Sequence, residues 1–216
     1  MVKKRLIPVL ILKDGKVVQS EQFNHTNVIH SRPAIAVDYF NRWAADELVI
    51  LDVSRSRDNR NSFHQAIKNF SKKCFVPLTV GGWITELDEI QHLLRLGADK
   101  VAINTQAHRN PRFLSRASEA YGSQCIVSSI DVRKNNHGEY EVCVDRGREF
   151  TVRCPFEWAR EVQEMGAGEI YATSIDHDGS RQGYDTDFIG RICSSVEIPV
   201  IAFGGVSKWE HLVEGI

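Results

Sequence analysis

The sequence predicts an α/β fold: a (βα)8 TIM barrel built from two half-barrels, with the eighth βα unit missing. Three observations carry this prediction. A complete strand–turn–helix–strand unit lies between Cys74 and Asn104. The same rhythm recurs along the chain. An internal repeat then sets one half of the chain against the other.

Within CFVPLTVGGWITELDEIQHLLRLGADKVAIN, the apolar run Phe75–Val80 reads as a buried parallel strand. Gly81 and Gly82 break it where the chain leaves the sheet. Thr85, three residues before Asp88, opens a helix with Leu87, Ile90, Leu93 and Leu94 on one face. Gly97 closes that helix, and Lys100–Asn104 returns to the sheet through a right-handed crossover.

The other elements follow in order. Arg5–Leu12 is a first strand, turned by Lys13-Asp14-Gly15. Pro33–Trp43 has helical spacing, and Glu47–Asp52 is a second strand ending in a carboxylate. Asn61–Lys72 is a helix. Asn110-Pro111 starts another with Pro at its first position, closed by Gly122. Cys125–Asp131 is a fifth strand, again ending in Asp. Lys134–Thr151 alternates in period two around Asp145-Arg146-Gly147 and reads as an inserted β-hairpin at 134–151. Pro155–Met165 is a helix, Gly168–Asp176 a strand, Asp185–Val196 a helix and Ile198–Phe203 a seventh strand. Gly204-Gly205 and a helix from about Lys208 end the chain.

Seven such pairs fit a barrel better than an open doubly wound sheet. The expected organisation is one domain over residues 1–216, a fragment lacking roughly 35–40 residues, the size of a βα repeat plus tail. In the repeat, DELVILD (Asp46–Asp52) recurs as GEIYATSID (Gly168–Asp176), and VPLTVGGWITELDEI recurs as IPVIAFGGVSKWEHL. The offset is about 123 residues and matches Gly81-Gly82 to Gly204-Gly205. It sets the first strand against CIVSSIDV, where Asp131 finds Ile11 or an apolar neighbour in place of a second carboxylate.

Composition narrows the function. With 27 basic and 28 acidic residues, nothing favours nucleic acid or an acidic membrane as a partner. No apolar run reaches the roughly 18 residues of a membrane span, and no signal-peptide h-region is present. Five cysteines without CxxC spacing read as reduced thiols of a cytoplasmic protein. His177 has no second histidine at metal spacing, so neither a metal nor another cofactor is expected.

Barrel enzymes carry their chemistry at the C-terminal strand ends. That filter selects Asp52, Gly81, Gly82, Asn104, Asp131, Thr173, Asp176, Asp178, Gly179, Gly204 and Gly205. The Gly-Gly pairs suit phosphate, because backbone N–H groups approach an anion where no side chain intervenes. Two of them related by the repeat suit an elongated substrate with a phosphate at each end, whereas one alone would fit a plain tight turn equally well. Asp131, flanked by apolar residues that raise its pKa, is the candidate for acid/base work; its alternative is a capping or arginine-paired aspartate. Asp178-Gly179 lies in the turn-rich SIDHDGSRQGYD. Arg55, Arg57 and Arg60 form a basic loop that is either solvated or in contact with an anion.

RLIPVLILKDGKVV, ADELVILD, PLTVGGWI, GADKVAINTQA, YGSQCIVSSID, EMGAGEIYATSIDHDGSRQGYD and IPVIAFGG together resemble the cyclase subunit of imidazole glycerol phosphate synthase, the HisF family. The resemblance covers essentially the whole chain. It implies a barrel that takes ammonia from a HisH-type glutaminase subunit docked at its N-terminal face. The ammonia is condensed with a doubly phosphorylated ribulosyl substrate (PRFAR) to give imidazole glycerol phosphate and an aminoimidazole carboxamide ribotide (AICAR), in histidine biosynthesis. By position, the resemblance makes Asp131 one of two catalytic aspartates and Asn104, Gly179 and Gly205 phosphate contacts. Asp52, Gly82, Thr173, Asp178 and Gly204 complete the expected phosphate and substrate set. Arg5, Glu47, Lys100 and Glu169 match the charged gate through which ammonia enters.

The chain departs from the family at four places. Ile11 stands at the strand-one aspartate, Gln19 at a lysine of the following loop, Trp83 at the third glycine of the strand-three turn, and Phe203 at a small residue before Gly204. The strand-one change resembles a paralogous branch that passes ammonia to an ATP-dependent enzyme amidating a polysaccharide sugar. Three readings stay open: a HisF-type subunit with weakened cyclase activity, a fully active cyclase, and a non-catalytic scaffold that activates the glutaminase.

Overall fold

Strand alternation decides where the core lies. The structure, a computed structural model, describes residues 4–43 and 45–215. The chain divides into two compact units, one of residues 1–19 and 26–102 and one of residues 20–25 and 103–216.

The first unit is built from β1 (Val9–Lys13), β2 (Lys16–Glu21), β3 (His25–His30), α1 (Ala34–Arg42), β4 (Leu48–Asp52), α2 (Arg60–Ser71), β5 (Leu78–Gly81), α3 (Leu87–Arg95) and β6 (Lys100–Ile103). Strands β1, β4, β5 and β6 run parallel, each paired with the next. Register puts Leu10, Ile50, Val80 and Val101 in one row across them, all buried. The apolar stripes of α2 (Phe63, Ile67, Phe70) and α3 (Ile90, Leu93) are buried as well. Truncating such a residue typically costs 2–5 kcal/mol. The opposite face carries the row Ile11, Leu51, Gly81, Ala102.

The second unit adds α4 (Thr105–Arg109), α5 (Arg112–Tyr121), β7 (Ile126–Lys134), β8 (Tyr140–Val144), β9 (Glu149–Phe150), α6 (Pro155–Glu164), β10 (Glu169–Ser174), α7 (Thr186–Ser195), β11 (Val200–Phe203) and α8 (Trp209–Glu214). Strands β7, β10 and β11 run parallel. The strand–helix alternation expected from sequence is present in both units.

Three elements differ from the sequence expectation. Within residues 16–32, where the sequence predicts no element, the chain forms β2 and β3. Asp14 and Gly15, both at positive φ, make a two-residue turn that sends β2 back antiparallel to β1, with Lys13 opposite Lys16. Phe75, expected to open a strand, is 86% exposed. The strand starts only at Leu78, beyond Pro77, whose missing N–H cannot join a ladder. Asp131, expected at a strand end, lies inside β7. The strand continues to Lys134 because β8 pairs with it antiparallel, Asp131 opposite Cys143, and β9 then pairs with β8 across the turn at Asp145-Arg146-Gly147.

Candidate functional site

In the second unit, chemistry gathers on one face of β7 and β10. Register sets Asp131 opposite Thr173 and Ser129 opposite Tyr171, so these four side chains share that face. The Asn104 amide, just beyond β6, donates to Asp131 Oδ2 at 3.0 Å and to the Ser129 carbonyl at 3.2 Å. The Ser129 hydroxyl donates to Asp131 Oδ1 at 3.4 Å. Burial pushes the Asp131 carboxyl up to about 7; the Thr173 and Ser129 hydroxyls oppose the rise, and the Asp178 charge adds to it. A carboxyl poised near neutrality gives and takes protons with equal ease. Among the described residues the Asp131 carboxylate is held by Asn104 and Ser129 and not by an arginine.

Asp178 and Gly179, expected at a substrate phosphate, hold the 20–25 segment. Ser20 Oγ donates to Asp178 Oδ2 at 2.6 Å, and the Gln22 and Phe23 amides reach its carbonyl and carboxylate. A Cβ on Gly179 would meet the Ser20 carbonyl oxygen at 2.7 Å. Asp185 caps α7 by accepting from the Phe188 amide, and it also accepts from the Tyr140 and Ser174 hydroxyls at 2.7 and 3.0 Å.

The two glycine turns are equivalent, but one residue out of step with the sequence alignment. Leu51 faces Gly81 across β4 and β5, and Thr173 faces Phe203 across β10 and β11. Gly82 and Gly204 therefore correspond, both at φ 110°, and so do Trp83 at φ 58° and Gly205 at φ 84°. Each turn needs its glycine. A Cβ on Gly82 would lie 2.4 Å from the Asp52 carbonyl oxygen, and one on Gly205 would lie 2.0 Å from that of Gly183. Phe203 occupies the place of Gly81, and its ring stacks on Tyr171 with centroids 5.4 Å apart.

In the first unit, Asp52 ends β4 buried, accepting from the Ser54 amide and hydroxyl and from Arg60 at 3.3 Å. Of the basic loop, Arg60 is thus tied to Asp52. Arg57 donates to the Trp83 carbonyl and Thr85 hydroxyl, pairs with Glu89 at 3.2 Å and lies over the Trp83 ring. The indole N–H of Trp83 donates to the Ser54 carbonyl, so this residue clamps two loops together.

At the other strand ends, Glu47 is bridged by Arg5 and by Lys100, the latter at 3.0 Å. Three of the four expected gate residues thus form one network. Glu169 opens β10, buried, in the position that Glu47 holds before β4. The following amide bonds the Pro199 carbonyl there, and the Pro77 carbonyl in the first unit.

Ser129, Tyr171 and Ser20 escaped the sequence reading. Ser129 and Tyr171 were legible through period two, each two residues before a selected position. Ser20 lay in the unassigned ribbon. Among the described residues no three or more His, Cys, Asp or Glu side chains converge on a metal position, and no helix is long and apolar enough to cross a membrane.

Parallel strands alternating with helices, with an equivalent glycine turn in each unit, place the chain in the α/β-barrel class. A family model described as "Histidine biosynthesis protein" matches residues 5–216. The chain belongs to that family, and within it to the HisF type. It is 43% identical over 210 residues to "Imidazole glycerol phosphate synthase subunit HisF" of Natranaerobius thermophilus, spanning 97% of this chain and 83% of that protein. It is 40% identical over 215 residues to proteins of the same name from two strains of Clostridium botulinum, spanning 99% of this chain and 85% of each.

Proposed function

We propose that this chain is the barrel subunit of a glutamine-dependent synthase, fed with ammonia by a HisH-type glutaminase at its N-terminal face, in which the cyclase step is weakened. The observation that carries this reading is one of register. Ile11 faces Leu51 as Asp131 faces Thr173, so Ile11 holds the position at which the first unit would supply a second carboxylate. General acid/base groups contribute about 10²–10⁴ in rate each, and isoleucine contributes none of that. The family reaction converts PRFAR and ammonia to imidazole glycerol phosphate and AICAR. Here Asp131 would serve as the one acid/base group, oriented by Asn104.

The Gly82 turn of the first unit, and the Gly204-Gly205 turn, Asn104 and Thr173 of the second, are the proposed phosphate-end contacts. Asp52 and Asp178, both carboxylates, suit substrate hydroxyls through their surroundings better than phosphate, which their charge repels. The Gly179 turn supports the second site. The Arg5–Glu47–Lys100 network of the first unit supports the proposed ammonia gate, to which Glu169 is assigned as the fourth residue. The ammonia is then passed to an ATP-dependent sugar-amidating enzyme. The five cysteines, none of them in a disulfide, suit a cytoplasmic setting.

The full cyclase is the second reading. It is favoured by the Asp131 carboxyl, which titrates near 7 and is hydrogen-bonded to Asn104. Purified chain given PRFAR and ammonium chloride tests both. Turnover about 10²–10⁴ below that of a relative with aspartate at the strand-one position supports the weakened cyclase; equal turnover establishes the full cyclase instead. Stimulated glutamine hydrolysis without ammonia passage, measured in the complex, would leave only the scaffold.

A further inference from the structure

His177 lies in the turn-rich stretch SIDHDGSRQGYD, between Asp176 and Asp178. Its Nδ1 stands 2.9 Å from the Gly183 carbonyl oxygen. A carbonyl only accepts, so Nδ1 carries the proton and donates. Nε2, the other ring nitrogen, has Asp185 Oδ2 at 3.8 Å, beyond hydrogen-bond distance. Asp185 is itself fixed by the Tyr140 and Ser174 hydroxyls and by the Phe188 amide. The imidazole is thus seated between a held carboxylate and one backbone carbonyl.

That carbonyl belongs to the residue on which the second glycine turn rests. The Gly183 N–H donates to the Gly205 carbonyl at 2.9 Å. A Cβ on Gly205 would lie 2.0 Å from the Gly183 oxygen and 3.2 Å from the His177 carbonyl oxygen. Gly183 and Gly205 both have positive φ, 95° and 84°. Two facing glycines have the widest backbone freedom and no side chains to stiffen them. Gly183 is therefore pinned from outside, its N–H on the turn and its oxygen on the imidazole. With the imidazole removed, the peptide after Gly183 can rotate and the turn loses its fixed shape. An anion-binding turn depends on that shape being formed before the anion arrives.

We propose that His177 is the positioning residue of the Gly204-Gly205 turn: by holding the Gly183 carbonyl it keeps that turn in the shape that takes a phosphate group. This rests on the reading of the turn as a phosphate-end contact. Asp185 stops the ring from the other side, and Tyr140 and Ser174 keep Asp185 in place.

The test uses the full chain labelled with ¹⁵N, with inorganic phosphate as the probe. In wild type, the His177 ring spectrum should show a proton on Nδ1. Phosphate should shift the Gly205 amide saturably, and sodium chloride at equal ionic strength should not. His177→Ala should speed hydrogen exchange at the Gly183 amide and weaken phosphate at Gly205, each about tenfold, the worth of one hydrogen bond. His177→Asn sets a side-chain N–H where Nδ1–H stands, and should restore both. A role in packing alone predicts that His177→Asn fails as His177→Ala does. An Nδ1 without a proton, unchanged exchange in His177→Ala, unchanged phosphate affinity in that variant, or no rescue in His177→Asn would overturn the proposal. The phosphate reading fails separately: if the wild-type Gly205 amide ignores phosphate, that reading falls, and exchange at Gly183 alone decides whether His177 holds the turn.

Discussion

Asn104 donates its side-chain amide to Asp131 Oδ2 at 3.0 Å, joining the residue that follows β6 to the buried carboxylate of β7. The bond favours the ionised carboxylate, while burial favours the protonated one. Removing the amide leaves burial less opposed. Asn104→Ala should therefore move the Asp131 titration upward by about one pH unit, the equivalent of a net hydrogen bond. A carboxyl ¹³C titration reads this directly. An unmoved midpoint would show that Asn104 does not act on the carboxylate.

Asp131 also couples stability to pH. Its carboxyl is raised from 3.8 to about 7 in the folded chain. Between those values the folded state holds a proton that the unfolded state has released. Stability from this group is thus complete below about pH 4 and is lost as pH climbs through about 7. The loss is bounded at about 4 kcal/mol. Asp131→Asn should therefore unfold at higher denaturant than wild type at pH 8, with the difference vanishing at pH 4. Urea titrations at the two pH values check the sign.

On the proposed reading, Ile11 is the position at which a second carboxylate would be supplied. Ile11→Asp is expected to raise PRFAR cyclisation by about 10²–10⁴, the range of one acid/base group. Product formation with ammonium chloride measures it. If Ile11→Asp folds and turnover stays at the wild-type level, the missing carboxylate is not what limits this chain.

Gly205 and Gly190 make a matched pair. Gly205→Ala puts a Cβ 2.0 Å from the Gly183 carbonyl oxygen at φ 84°, and should destabilise by more than about 3 kcal/mol. Gly190 lies within α7 with open space around it, so Gly190→Ala should stabilise by about 0.5–1 kcal/mol. Thermal melts of the two variants should move in opposite directions.

Much of the fold was legible because its signals are local. Period two, period 3.6 and glycine punctuation lie within short windows, and they placed the parallel strands and most of the helices. The ribbon at β2 and β3 was missed although Asp14-Gly15 announced it, because its second strand lacks a buried face; Val28 and Ile29 are 60% and 63% exposed. Phe75 misled through hydrophobicity alone, since a strand needs N–H donors that Pro77 cannot supply.

By itself, the sequence determined the α/β class, the repeat of its two halves and Asp131 as a carboxylate among apolar neighbours. Only the tertiary structure decided what each polar group faces. It turned Asn104 toward Asp131, closed Asp178 onto Ser20 across 158 residues of chain, and bridged Glu47 between Arg5 and Lys100. It also shifted the match of the two glycine turns by one residue, aligning Gly82 with Gly204 and Trp83 with Gly205. The physical reason is that backbone periodicity belongs to neighbouring residues, whereas register and hydrogen-bond partners are fixed by segments that meet only in the folded chain.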